Sequence, residues 1–189
     1  MPRKNEIDML HGPLLAKIII FAMPLAASSI LQQLFNSVDV AVVGRFDSSY
    51  ALAAVGSNGP VISLLINLFL GISMGANVVI SNHIGQKDNN LTKYAIRTTA
   101  ATALFSGLAL AVIGVLAARP ILTIMGTPTE VLDMAVRYLR IYFIGTPFLL
   151  IYNFGSAILR SKGDTSRPLY ILVIAGIINT VLNLILVIV

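Results

Sequence analysis

The stretch that decides the fold is Leu34-Phe35-Asn36-Ser37-Val38-Asp39-Val40-Ala41-Val42-Val43-Gly44. It places the carboxylate of Asp39 at the far end of an apolar run. Residues 18–38 contain no Asp, Glu, Lys or Arg, and a run of this length crosses a bilayer core as a helix. An aspartate at the centre of a span costs about 2.5–3.5 kcal/mol, so such residues usually face a cavity or a partner. We expect Asp39 to be functional; the alternative is that it only ends a helix at headgroup level.

Polar side chains accompany Asp39 on one helical face. Gln32, Asn36 and Asp39 stand at positions i, i+4 and i+7, which lie above one another on a helix. Asn179 and Asn183 are four residues apart in the last apolar run and also share a face. Because buried amides need hydrogen-bond partners, we expect both polar stripes to face one shared pocket.

The composition indicates a membrane protein. Hydrophobic residues make up 57% of the chain and charged residues 11%, whereas a typical soluble domain has about 25% charged residues. There is no Cys, so a disulfide framework or a cysteine-based metal site is excluded. The net charge of +5 does not indicate a nucleic-acid partner, because the basic residues stand in short clusters between apolar runs.

Uncharged stretches predict five transmembrane helices. They cover residues 18–38, 48–86, 98–118, 141–159 and 168–189, and about 20 residues cross the bilayer core. Gly56 to Pro60 is a cluster of helix-breaking residues, and residues 120–129, with Gly126 and Pro128, are expected to form a loop or turn. The predicted fold is an all-α polytopic membrane helix bundle, with spans at approximately 14–43, 58–82, 95–118, 132–157 and 168–189.

The distribution of Lys and Arg predicts the orientation of the bundle. The N-terminal segment and the loops after spans two and four carry nine basic residues: Arg3, Lys4, Lys17, Lys87, Lys93, Arg97, Arg160, Lys162 and Arg167. The alternate loops carry four: Arg45, Arg119, Arg137 and Arg140. We therefore expect a multi-pass protein of the plasma membrane with a cytoplasmic N-terminus.

Other residues at membrane depth are candidates for a substrate cavity or a hinge. Asn67, Tyr142 and Asn153 are expected to line a cavity together with Gln32, and the aromatic ring suits contact with a flat organic cation. Simple packing is the alternative for the aromatic residue. Pro24 and Pro147 each predict a bend, which is either a moving hinge or a static kink.

The sequence Gly71-Ile72-Ser73-Met74-Gly75 fits two patterns. As G-x-x-x-G it predicts a helix-packing face. As G-x-S-x-G it resembles a nucleophile elbow, which requires a strand-turn-helix context and a histidine base. Neither that fold context nor a histidine base is expected here, so the prediction is a helix-packing face. No metal cluster, acid pair or Ser-His constellation is present in the sequence, and we expect no enzymatic activity and no cofactor.

The sequence resembles the N-terminal half of the multidrug and toxic compound extrusion (MATE) transporters, over essentially all 189 residues. The matching pieces are Met23-Pro24, Asp39 with Gly44, Gly71-x-x-x-Gly75, Gly85, Gly163-Asp164-Thr165 with Pro168, and Asn179-x-x-x-Asn183. The resemblance implies twelve helices in two lobes, of which residues 1–189 form part of the N-terminal lobe. It implies export of organic, often cationic, compounds driven by inward H⁺ or Na⁺.

The resemblance also assigns a site. It implies that Asp39 is the proton or cation site of the first lobe, with Na⁺ binding there as one alternative, and that Asn36, Asn179 and Asn183 accompany it. Asn183 stands where some family members carry a second acid. The implied partners are small-molecule drugs, membrane lipid and a C-terminal lobe.

Two other functions stay open from the sequence. One is a lipid-linked oligosaccharide flippase of the same superfamily, which would require several cationic residues in its cavity. The other is a non-transporting membrane scaffold or fragment, because five spans cannot form two lobes.

Overall fold

Five α-helices make up the computed structural model, which describes residues 14–46 and 48–188. They are α1 (Leu14–Phe46), α2 (Ser49–Gly85), α3 (Asn89–Ile124), α4 (Thr129–Ser161) and α5 (Ser166–Ile188). The loops that join the described helices are short, so successive helices run antiparallel. Arg3 and Lys4, which contribute to the predicted orientation, lie outside the described residues.

The helices pack as two groups. In the first, α4 packs extensively against α3 and α2, and it buries Ala135, Leu139 and Phe143 against small and apolar residues of those helices. In the second, α1 packs along α5, and contacts between α1 and α2 or between α4 and α5 are much fewer. The loose junction between the two groups leaves room for a cavity inside the bundle.

Side-chain caps, and a glycine with a left-handed backbone conformation, mark the helix ends. The side chain of Ser48 caps α2 by accepting from the amide of Ala51, and that of Asp88 caps α3. At the start of α5, Asp164 Oδ1 accepts from the Arg167 amide at 3.1 Å, and its Oδ2 forms an ion pair with Arg167 Nε at 3.0 Å. The turn before it places Gly163 at a φ of 80°, a conformation that glycine adopts without steric cost.

Of two expected breaks, the structure lacks one and shortens the other. Residues 56–60 lie within α2 because Asn58 is fully buried and its Nδ2 donates to the carbonyls of Ala54 (2.8 Å) and Ala135 (3.1 Å). This contact with α4 satisfies a residue type that otherwise favours turns. The expected loop at 120–129 is likewise shorter, since α3 continues through Pro120 to Ile124.

The prediction that Gly71 and Gly75 form a packing face is wrong within the described residues. Both are exposed, and a Cβ added to either would meet nothing within 4 Å. Close helix approach occurs instead at three other glycines, each of which faces a ring or a proline on the neighbouring helix: Gly107 against Pro147, Gly114 against Phe143, and Gly176 against Phe35.

All five described helices are long and apolar enough to cross a membrane, with mean hydropathies between 1.4 and 2.2. Each described helix extends beyond its predicted span at one or both ends, and the limits of the membrane-crossing parts stay a prediction. We call the end of the bundle at which α1 and α5 begin the basic end. It carries Lys87, Lys93, Arg97, Lys162 and Arg167.

Candidate cation and substrate site

The carboxylate of Asp39 on α1 is held by two amides of α5. Asn183 Nδ2 donates to Asp39 Oδ1 at 2.8 Å. With its amide nitrogen turned toward the acid, Asn179 donates to Oδ1 at 2.9 Å and lies 3.3 Å from Oδ2. Asp39 and Asn183 are half-buried. The two polar stripes expected from the sequence therefore meet across the α1–α5 contact.

The packing of α1 on α5 fixes this register. The ring of Phe35 lies where a side chain at Gly176 would be, so the two backbones approach closely at that level. Asp39 follows Phe35 by four residues, and Asn179 follows Gly176 by three. Residues three and four apart share a helix face, and both helices begin at the basic end, so the acid and the amides reach the same level.

A cavity of about 410 Å³ opens beside Asp39 between α1, α2, α4 and α5. Four polar residues predicted for the site line it in addition to Asp39 and Asn179: Gln32, Asn36, Tyr142 and Asn153. Asn153 is buried, whereas Asn36 and Asn179 are exposed in the five-helix chain. Apolar side chains such as Phe35, Ile66 and Leu149 form much of the remaining wall.

Among the described residues, the cavity wall carries one acid and no Lys, Arg or His. An ionised carboxylate only accepts hydrogen bonds, and here both amides donate to Asp39. Hydrogen bonds to a charged acceptor are about twice as strong as neutral ones. The arrangement therefore places one carboxyl group next to aromatic and amide groups.

Asn67 does not belong to this cavity, contrary to the prediction. It is exposed on α2 and does not line the wall, whereas its neighbours Ile66 and Leu70 do. Successive residues of a helix are rotated by about 100°, at 3.6 residues per turn. The side chain of Asn67 therefore points in a different direction from that of Ile66, which lines the cavity. An apolar residue, Ile66, takes the place expected for the amide.

The two expected hinge prolines have different surroundings. Pro24 lies within α1, and Ser28 Oγ donates to its carbonyl at 2.7 Å. Pro147 is buried within α4, and a Cβ on Gly107 would lie 2.7 Å from its Cα. A proline held this closely against α3 has little room to move, whereas Pro24 is only half-buried.

Two aromatic residues of the site, Phe35 and Tyr138, were not predicted, and Tyr152 also belongs to the site. Phe35 and Tyr152 line the cavity, and Tyr152 Oη donates to the Pro168 carbonyl at 3.2 Å. Tyr138, one turn before Tyr142, lies within electrostatic range of Asp39. The four-residue spacing of Tyr138 and Tyr142 places them on one helix face, and this spacing could have indicated Tyr138 as a site residue. Phe35 carried no such signal, because its role depends on the absent side chain of Gly176.

No group of three or more His, Cys, Asp or Glu side chains that could hold a metal ion occurs in the described part of the chain. A cation at Asp39 would instead bind the carboxylate and neighbouring oxygens. The amide oxygens of Asn179 and Asn183 would serve only if these amides turned, since their nitrogens face the acid.

Comparison with known sequences gives consistent matches. The sequence model of the MatE family matches residues 24–185. The chain is 36% identical over 163 residues to "Probable multidrug resistance protein YoeA" of Bacillus subtilis, covering 86% of this chain and 35% of that protein. It is 28% identical over 181 residues to "Probable multidrug resistance protein NorM" of Thermotoga maritima, covering 95% and 39% respectively.

Solved structures agree with the sequence matches. A structure described as the outward-facing conformation of a multidrug resistance MATE family transporter of the MOP superfamily superposes with a TM-score of 0.87 at 26% identity. The match covers 97% of this chain and 40% of that one. The chain thus spans well under half the length of the relatives that it matches.

Proposed function

The chain belongs to the MatE family, and from this premise we propose that it forms the drug- and ion-binding part of a multidrug efflux transporter. The proposed reaction is secondary active antiport, in which organic and often cationic compounds leave the cell as H⁺ or Na⁺ enters. The observation that carries the proposal is the carboxylate of Asp39, held by Asn179 and Asn183 at the wall of a 410 Å³ cavity.

The proposed exchange depends on the charge of Asp39. When ionised, the carboxylate accepts hydrogen bonds from both amides and attracts a cationic compound into the cavity. When a proton binds, one carboxyl oxygen becomes a donor, so the amide that faces it must turn or withdraw. When Na⁺ binds, the amides must present oxygen rather than nitrogen. Either ion neutralises the charge that attracts the compound.

Coupling also requires that ion and compound favour different conformations, because a ligand with equal affinity for two states drives nothing. We propose that the α1–α5 contact is the part that changes, since the ion alters its hydrogen bonds directly. Pro24 is the proposed bend in α1, with Pro147 as a fixed element packed on Gly107. We further propose that the basic end is cytoplasmic and that the membrane is the plasma membrane, as the excess of Lys and Arg indicates.

The alternative functions have less support. A flippase for lipid-linked oligosaccharides would need cationic side chains facing the pyrophosphate, and the described wall of the Asp39 cavity has none. A purely structural role gives no reason to keep an acid beside a cavity. The proposed partners are therefore small organic compounds, with the second lobe of the transporter closing the exposed side of the site.

Binding of a lipophilic cation tests the proposal. The purified chain, in detergent, is titrated with tetraphenylphosphonium by calorimetry. Asp39→Asn should weaken binding at least about tenfold, because opposite charges about 4 Å apart attract by about 4 kcal/mol at an effective dielectric constant of about 20, and a tenfold change corresponds to about 1.4 kcal/mol. Asp133→Asn is the matched control, since its carboxylate is exposed and paired with Arg119. Equal affinities in both variants would refute the proposed role of Asp39.

A further inference from the structure

A second cavity, of about 310 Å³, lies nearer the basic end between α1, α2 and α4. It is separate from the Asp39 cavity and shares no lining residue with it. Six of its lining residues matter here: Phe21 and Leu25 on α1, Met74, Asn77 and Val78 on α2, and Arg160 on α4.

Arg160 is the charged residue of this cavity, half-buried and within electrostatic range of Tyr152. Its Nε is buried without a hydrogen-bond acceptor, and no described carboxylate forms an ion pair with it. The nearest acid in sequence, Asp164, is engaged by Arg167. A buried donor that lacks an acceptor is costly, and because this donor carries a positive charge, an anionic ligand would be favoured there.

The other polar groups of the cavity cannot supply that anion. Ser73 Oγ donates to the Leu70 carbonyl at 2.8 Å, and Asn77 Nδ2 donates to the Ala157 carbonyl at 2.9 Å. Both are neutral and already bonded to backbone. The lining thus offers neutral acceptors only, and its one charged side chain is a cation, which suits a ligand with a negative charge.

The walls indicate that this ligand is a lipid. Met74 and Val78 line the cavity and are also 60% and 66% exposed, so the space is continuous with the outer surface of α2. Because α2 is long and apolar enough to cross a membrane, acyl chains can reach this surface. Arg160 is the second-last residue of α4, which places its guanidinium near the headgroup level, and basic pockets between helices bind lipid headgroups.

We propose that this cavity binds an anionic phospholipid. The guanidinium of Arg160 holds the headgroup phosphate, for which its planar fork of donors is well suited. The upper acyl chain lies against Phe21 and Leu25 on one side and Met74 and Val78 on the other. The lipid fills the gap where α1 and α2 pack only sparsely, and it thereby joins the two helix groups.

Competitive lipid binding tests the proposal independently of efflux. The purified chain is mixed with equal amounts of phosphatidylglycerol and phosphatidylcholine, and retained lipids are counted by native mass spectrometry. We expect one preferentially retained phosphatidylglycerol, with apparent affinity about tenfold lower in Arg160→Gln. Lys162→Gln, which removes an exposed charge two residues away, should change the affinity less than twofold. Equal affinities in the two variants would overturn the proposal.

A second pair of variants keeps Arg160 and remains informative if Arg160→Gln does not fold. Val78→Trp should fill the lipid path and reduce phosphatidylglycerol retention severalfold. Val79→Trp places the same ring on an exposed neighbour that does not line the cavity, and retention should stay at the wild-type level. Unchanged retention in Val78→Trp would contradict the site. Binding of inorganic phosphate alone, as tight as that of the lipid, would show a free-anion site instead and would also overturn it.

Discussion

The ring of Phe35 on α1 occupies the space that the missing side chain of Gly176 leaves on α5. This contact sets the separation and register of the two helices just below Asp39 and its amide partners. Any side chain at Gly176 would therefore displace both the helix contact and one wall of the cavity. The first prediction follows from this relationship.

Gly176→Ala should destabilise the chain by about 1–3 kcal/mol, the usual cost of overpacking a tight contact. It should also weaken tetraphenylphosphonium binding, because Phe35 lines the Asp39 cavity. Unfolding of the purified chain by denaturing detergent measures the first effect. Gly71→Ala is the control, because an added methyl group there meets nothing within 4 Å. Indistinguishable unfolding curves for the two variants would show that the contact does not set the helix spacing.

Asn58→Ala should remove the hydrogen bond between α2 and α4. The expected loss in the free energy of unfolding is about 0.6 kcal/mol, and at most about 1.7, which is the measured range for such bonds in membranes. Ser57→Ala, next to it, removes only a bond within α2 to the Ala53 carbonyl and should have a smaller effect. A loss in Ser57→Ala as large as that in Asn58→Ala would argue against the interhelical bond.

Gly163 and Lys87 lie in two turns and share a left-handed backbone conformation. Substitutions at these positions should change the free energy of unfolding in opposite directions. Gly163 has a φ of 80° and Lys87 a φ of 58°, and the left-handed region costs a non-glycine residue about 1–2 kcal/mol. Gly163→Ala should therefore lower the unfolding free energy by about that amount, and Lys87→Gly should raise it by up to that amount. Thermal unfolding in one detergent compares them directly. A shift in the same direction for both variants would contradict this explanation.

The sequence was sufficient to predict the helices and the central pair of polar stripes. Five uncharged runs gave five helices, and the all-α membrane bundle is confirmed. The four-residue spacing of Asn179 and Asn183 placed them on one face, and that face meets Asp39. These predictions succeeded because hydrophobic length and helical periodicity are local properties of the sequence.

What could not be predicted depends on which helix covers which face. Asn58 is a turn-favouring residue in sequence, but a carbonyl of α4 accepts its amide hydrogen and keeps it helical. Gly71 and Gly75 have the spacing of a packing face, yet no described helix covers them. Asn67 is likewise exposed, on a face of α2 that does not line the cavity. Periodicity identifies a face, whereas the neighbour that covers it is known only from the three-dimensional fold.

Efflux in cells gives a physiological test of Asp39. In cells that depend on the intact transporter for drug resistance, Asp39→Asn should abolish resistance, because the variant cannot exchange its charge. Its level in the membrane, followed by immunoblot, should match that of the wild type and of Asp133→Asn. Resistance that persists at the wild-type level in Asp39→Asn would count against charge exchange at this residue.

Competition between the ion and the compound tests the central claim most directly. Tetraphenylphosphonium affinity of the purified chain is measured while the pH is lowered, and separately while Na⁺ replaces choline at constant ionic strength. Proton or Na⁺ binding neutralises Asp39, so the wild type should bind the compound more weakly as that ion rises, and Asp39→Asn should show no such dependence. An affinity that is independent of both pH and Na⁺ in the wild type, or a dependence that survives in Asp39→Asn, would contradict the account.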